Sequence, residues 1–133
     1  MSCLFDSIGA FVNETGSLVR QKICDYLQLG GILVEDLATA DVLEFEGPNY
    51  INQMRTGAMG GGIEIQSACN IWNLRIVVRN SRETPMTEIE FLPLVIDLNK
   101  TLFRTIMLGW NGGHYDPIII PIYSKVCIDS HNN

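Results

Sequence analysis

Trp110-Asn-Gly-Gly-His114-Tyr-Asp116-Pro117 separates two apolar runs, one ending at Trp110 and the other reading Ile118-Ile-Ile-Pro-Ile-Tyr123. The apolar runs predict two strands, and the paired glycines between them predict a tight turn. Residues two apart on an extended chain share a face, so His114 and Asp116 should lie together while Tyr115 points away. The segment therefore predicts a sheet edge on which a carboxylate orients a histidine ring.

A thiol is one partner that such a histidine can activate, and Cys3 begins the first amphipathic stretch of the chain. A thiolate is the reactive form of cysteine, and the positive end of a helix favours it. These residues predict covalent catalysis in which Cys3 is the nucleophile, His114 the base and Asp116 the group that orients the base. Two simpler interpretations stay open: Cys3 as a disordered N-terminal residue, and His114 as an ordinary turn histidine.

The first half of the chain is helical in pattern and the second half is extended. Helices are predicted from Cys3 to Val12, after a cap at Ser17, from Ile32 to Phe45, briefly after Pro48, and from Ile63 to Trp72. Strands are predicted at Leu74–Val78, Glu88–Leu92, Phe103–Trp110 and Ile118–Tyr123, with an irregular stretch at Leu94–Thr101. This order predicts one α+β domain over residues 1–133, with helices covering a small sheet and a tail at 124–133.

The composition excludes several classes of protein. The 133 residues are 47% hydrophobic and 18% charged, with no apolar run near the roughly 18 residues that span a bilayer. Because the sequence has no signal pattern and no membrane segment, a soluble cytoplasmic monomer is expected. The small size would suit a compact genome such as that of a virus, and the expected location would then be the host cytoplasm. The few, scattered basic residues argue against nucleic-acid binding. Four scattered cysteines without a C-x-x-C pair indicate a reducing compartment and no zinc site.

Two further segments are candidates for binding. The net charge is −6, and no Lys or Arg occurs between Ile23 and Met54. The acidic residues Glu35, Asp36, Asp41, Glu44 and Glu46 in this stretch form either a solvated helix face or a surface for a basic partner. The second segment, Gly60-Gly61-Gly62, is either a flexible connector or a place where substrate backbone passes close to the protein backbone.

Taken together, these segments resemble the ovarian tumour (OTU) family of deubiquitinating cysteine proteases. Cys3-Leu-Phe-Asp-Ser-Ile8 is similar to the Cys-Leu-Phe-x-Ser/Ala-Ile block of that family, and Leu18-Val-Arg-Gln-Lys-Ile-Cys24 to its second helix. Tyr50 to Met54 with Gly60-Gly-Gly-Ile-Glu-Ile65 resembles its Tyr-x-x-x-Met…Trp-Gly-Gly-x-x-Glu-Ile/Leu block. Ile106 to Trp110 and His114-Tyr-Asp-Pro117 resemble its last strand and histidine motif, so the resemblance covers residues 3 to 117 in order.

The resemblance implies the OTU variant of the papain-like fold and hydrolysis of the isopeptide bond after the C-terminal glycine of ubiquitin. It implies Cys3, His114 and Asp116 as the triad, with the backbone of Ser2 and Cys3 as oxyanion donors. Ubiquitin and polyubiquitin chains are the expected partners, without a cofactor. The expected contacts are the five acidic residues, Gly60, Gly61, Gly62 and Trp110. The alternatives are a non-catalytic ubiquitin-binding module and a protease for a ubiquitin-like modifier.

Overall fold

The structure, a computed structural model, describes residues 3–94 and 103–119. Five helices precede a four-stranded sheet within these residues. The helices are α1 (Cys3–Val12), α2 (Gly16–Gln28), α3 (Thr39–Glu46), α4 (Tyr50–Arg55) and α5 (Gly62–Trp72). The strands are β1 (Leu74–Asn80), β2 (Thr87–Phe91), β3 (Arg104–Trp110) and β4 (Tyr115–Ile118). The α+β class predicted from the sequence is confirmed.

The sheet has the order β2-β1-β3-β4, in which β1 and β3 are parallel and both outer pairs are antiparallel. Gly109 pairs with Asp116 and Trp110 with Tyr115, so β3 and β4 form a hairpin whose loop ends at His114. Pro117 lies on the edge strand β4, where a missing backbone donor is tolerated. The register therefore fixes His114 at the corner of the sheet.

A single apolar core joins the helices to the sheet. The buried apolar side chains of α1, α2 and α5 are at most 2% exposed, and the inward residues of β1 and β3 complete the layer. Its largest members are Leu4, Phe5, Ile8, Ile23, Ile65, Ile76 and Leu108. Because Leu4 and Phe5 directly follow Cys3, burial of the first turn of α1 fixes the place of that cysteine.

Two helix starts predicted from the sequence are wrong. Helix α2 begins at Gly16, and Thr15 is the cap in place of Ser17, because its side-chain oxygen accepts the N–H of Leu18 at 3.2 Å. The predicted helix from Ile32 is confined to Thr39–Glu46, since Asp36 has φ +65° and interrupts it. The residues before Thr39 form a loop that hydrogen bonds stabilise, including one from the Tyr26 hydroxyl to the carbonyl of Ile32 at 2.7 Å.

The last strand also differs from the prediction. Within the described residues it covers Tyr115 to Ile118 and so begins before the predicted start at Ile118, because pairing with β3 begins immediately after the histidine. Residues 120–133, which include the rest of the predicted strand and the tail, lie outside the described residues, as does the predicted irregular stretch from residue 95 onward.

Candidate active site

The two ends of the described chain meet where α1 packs against β4. A cleft of about 430 Å³ opens there, lined by Cys3, Asp6, Ser7, His114, Tyr115, Asp116 and Pro117. Residues more than 100 positions apart in sequence thus share one cleft. The three residues that the sequence predicted as nucleophile, base and orienter are among them.

His114 and Asp116 are in direct contact. His114 Nε2 lies 2.9 Å from Asp116 Oδ1, a distance at which the ring N–H donates to the carboxylate. Both side chains are open to solvent, with exposed fractions of 48% and 69%. A contact this exposed adds little to stability, so its consequence is the orientation of the ring. With Nε2 engaged, Nδ1 is the ring nitrogen left for a second partner.

Cys3 is joined to the same hairpin through the backbone. The N–H of Tyr115, the residue after His114, donates to Cys3 Sγ at 3.5 Å. The Tyr115 side chain is packed against the core, and burial raises its pKa. The sulfur therefore lies at the N-terminus of α1 with a backbone donor directed at it.

Ser7 links the two walls of the cleft, and the sequence did not single it out. Its buried hydroxyl donates to the carbonyl of Cys3 at 2.7 Å and, at 3.3 Å, to the carbonyl of Tyr115. One side chain thus connects the first turn of α1, which contains Cys3, with β4, which begins directly after His114. A serine one helical turn after a candidate nucleophile is the only sequence signal that pointed to this role.

The other cysteines in the described part of the chain differ from Cys3 in their surroundings. Cys24 and Cys69 are fully buried, and neither forms a disulfide. Burial raises the pKa of Cys24 and raises the pKa of Cys69 to about 12. Both remain protonated near neutral pH, so Cys3 is the partly exposed thiol to which a reagent has access.

The candidate binding residues do not line the cleft. Of Gly60, Gly61 and Gly62, the first lies against the first turn of α1, where a Cβ at Gly60 would lie 2.7 Å from Leu4 Cδ2. The predicted acidic residues Glu35, Asp36, Asp41, Glu44 and Glu46 are all exposed. Of these five, Glu44 lines a separate groove of about 580 Å³ between α2, α3 and α4.

Trp110 lies at the base of the hairpin and is half-buried. Its ring is 6.3 Å from that of Tyr115, and the guanidinium of Arg82 is 5.9 Å from its centre. Trp110 therefore packs against its neighbours at the loop end of the β3–β4 hairpin, and part of its side chain is accessible to solvent. Ser2, the other expected oxyanion donor, lies outside the described residues.

Residues 3–94 and 103–119 contain neither a group of side chains suited to a metal ion nor a helix suited to crossing a membrane. In these ranges no three His, Cys, Asp or Glu side chains are grouped so that they could hold a metal ion. None of the described helices is long and apolar enough to cross a membrane.

Solved structures share this fold. The OTU domain of OTUD1 superposes with a TM-score of 0.61 and 20% sequence identity, covering 90% of this chain and 79% of that one. An OTU domain solved in complex with ubiquitin superposes with a TM-score of 0.63 and 22% identity, covering 87% of this chain and 62% of that one. This chain thus spans less than two thirds of the second structure. No protein-family model and no curated protein sequence matches it. The fold is that of OTU domains, as the sequence resemblance implied.

Proposed function

We propose that this chain, which has the fold of OTU domains, is a deubiquitinating cysteine protease that hydrolyses the isopeptide bond after the C-terminal glycine of ubiquitin. One observation carries the proposal: Cys3 and the His114–Asp116 pair line a single cleft, with the Tyr115 N–H donating to the thiol at 3.5 Å. A thiol, an imidazole and a carboxylate in this relation are the components of thiol-dependent acyl transfer.

In the proposed reaction, His114 takes the proton of Cys3, and the thiolate attacks the carbonyl carbon of the terminal glycine. The oxyanion formed there is stabilised by backbone N–H groups at the start of α1, which have no partner within the helix. The tetrahedral intermediate collapses when protonated His114 donates its proton to the departing lysine amine, which leaves a thioester on Cys3. Water, deprotonated by His114, then releases the ubiquitin carboxylate and restores the thiol.

Asp116 supports each proton transfer without taking part in it. Its carboxylate holds the ring through Nε2 and stabilises the imidazolium that forms twice in the cycle. The high exposure of this pair in the free protein suits a site over which the substrate closes, because bound substrate would exclude water and strengthen the interaction.

The acidic surface and the glycines have proposed roles in binding. Glu35, Asp36, Asp41, Glu44 and Glu46 are exposed and belong to a stretch of sequence without Lys or Arg, and they would attract the basic surface of ubiquitin. Gly60, Gly61 and Gly62 would lie beside the glycine tail of ubiquitin as it enters the cleft. Trp110 would contribute through its exposed part.

A ubiquitin probe with an electrophilic C-terminus tests the proposal. We expect one covalent adduct, located by mass spectrometry on Cys3, and none on buried Cys24 or Cys69. Cys3→Ala should form no adduct while retaining its unfolding temperature. Reversible binding without an adduct would identify a non-catalytic binding module. Capture only by probes built on other modifiers would identify a protease for a ubiquitin-like protein.

A further inference from the structure

Two charged side chains are buried among the residues that the structure describes, Arg20 at 6% and Glu64 at 1% exposure. A buried charge is costly unless hydrogen bonds satisfy it, so the groups that each one contacts show where it acts. Neither residue belongs to the cleft of Cys3 and His114. Both contact the segment Ala58–Gly62, which we call the glycine segment.

Arg20 holds the first end of the glycine segment. Its guanidinium donates to the carbonyl of Ala58 at 2.9 Å and to that of Met54, and it lies over the ring of Phe5 at 4.3 Å. Glu64 holds the other end. Its Oε1 accepts the backbone N–H of Gly61 at 2.8 Å, and its Oε2 accepts the hydroxyl of Tyr50 at 2.6 Å.

The glycine segment is also packed against the turn that carries the nucleophile. A Cβ at Gly60 would meet Leu4 Cδ2 at 2.7 Å and the Phe5 ring at 2.9 Å, so the backbone lies directly on the residues after Cys3. On Gly61, by contrast, no described heavy atom lies within 4 Å of the position that a Cβ would take. The segment is thus closed toward α1 and open on its other side.

We propose that Glu64, supported by Tyr50, is a positioning residue that fixes the glycine segment as one wall of the channel for the substrate's C-terminal glycines. This inference rests on the proposed function and explains why the protein would select a substrate that ends in glycines. A wall held at both ends by hydrogen bonds to buried side chains cannot move away from an added methyl group, so a tail without side chains is selected. Burial raises the pKa of Glu64, although hydrogen bonds from Tyr50 and Gly61 oppose the shift, which agrees with a carboxyl retained for its contacts and not for its charge.

The experiment compares Tyr50→Phe with Tyr26→Phe. Both changes remove one hydroxyl from a half-buried tyrosine, but the Tyr26 hydroxyl forms hydrogen bonds with Ile32 and Asn70. Asn70 lies on α5, nine residues after Gly61, and is therefore about 13 Å from it along the helix. Each full-length protein is assayed with two substrates bearing a fluorescent leaving group. One is ubiquitin with its natural Gly-Gly end, and the other has alanine at the penultimate position.

We expect the unmodified protein to prefer the glycine substrate strongly. Tyr50→Phe, which leaves one buried oxygen of Glu64 without its donor, should lower kcat/KM for the glycine substrate about tenfold and should reduce the preference for glycine over alanine. Tyr26→Phe should change neither value. Alkylation of Cys3 by iodoacetamide should proceed at the same rate in all three proteins, since that reagent does not use the channel. Glu64→Gln, which retains one acceptor oxygen, should act in the same direction as Tyr50→Phe.

An unchanged glycine preference in Tyr50→Phe would overturn the inference, as would equal effects of Tyr50→Phe and Tyr26→Phe or an unmodified protein that accepts both substrates equally. A loss of stability alone would lower both rates in the same proportion and leave the preference intact. Failure of the proposed function has a different signature: the unmodified protein would then turn over neither substrate, and this inference would fall with it.

Discussion

The two walls of the cleft are built in different ways. Cys3 begins a helix whose next residues, Leu4 and Phe5, are at most 1% exposed, so the core fixes its position. His114 and Asp116 lie on a hairpin at the sheet edge, where about half or more of each side chain is exposed. The nucleophile is therefore placed by packing, whereas the proposed base is placed by one hydrogen bond and by strand register. Substitutions on the hairpin should affect the proposed activity alone, and substitutions under Cys3 should affect stability as well.

The largest effect is expected at His114. His114→Ala removes the proposed base and should lower kcat/KM for a ubiquitin substrate by several orders of magnitude. Because the side chain is exposed and contributes little to the core, the unfolding temperature measured by calorimetry should stay within about 1 °C of the parent value. A fall of several degrees would show that the hairpin, too, depends on packing by this residue.

Asp116 should give a smaller loss. Asp116→Ala should reduce kcat/KM by about 10- to 1,000-fold, since it removes the orientation of the ring but not the proton acceptor. Asp116→Asn is the matched control, because its amide oxygen can accept the Nε2 N–H and should preserve much of the rate. The double variant with His114→Ala should be no slower than His114→Ala alone. An additive loss would show that Asp116 acts on the substrate and not through the His114 ring.

Ser7 tests the connection between the two walls. Ser7→Ala breaks the bonds to the carbonyls of Cys3 and Tyr115 and should lower kcat/KM several-fold, with a loss of about 1 kcal/mol in the free energy of unfolding. Ser67→Ala is the matched control: Ser67 is also buried and also donates to a carbonyl four residues back, that of Ile63, but this bond lies within α5 and does not involve a residue of the cleft. It should change stability without changing the rate, and equal kinetic effects would refute a bridging role for Ser7.

The smallest effect is expected on the acidic surface, remote from both walls. Raising ionic strength from 50 to 500 mM shortens the Debye length from roughly 14 to 4 Å and should raise the KM for ubiquitin substrates a few-fold. Reversing Asp41 and Glu44 to lysine should produce a similar increase at low salt. A short peptide substrate that carries only the glycine tail should respond to neither change. If KM for ubiquitin is equally insensitive, the acidic residues form only a solvated surface.

The sequence was sufficient for those features that depend on local pattern. Helical spacing after Cys3 and the apolar run before the Gly112-Gly113 turn predicted α1 and β3, because periodicity reports which face of an element is buried, whereas the strand after the turn was predicted to begin too late. The same reasoning was wrong at Asp36 and at Ser17. A positive φ and the choice between two neighbouring caps are decided by contacts such as those of the loop before Thr39, which no local pattern records.

The sequence alone determined which chemical groups are available, a thiol at a helix start and a histidine two residues before a carboxylate. Only the tertiary structure decided that they share a cleft. Packing of α1 against β4 brings Cys3 to the backbone of Tyr115 across 112 positions of sequence, and Ser7 links the two elements. The same holds for Arg20 and Glu64. Their sequence positions do not reveal burial, because a charge becomes tolerable in a core only when distant backbone groups satisfy it, and folding alone brings those groups together.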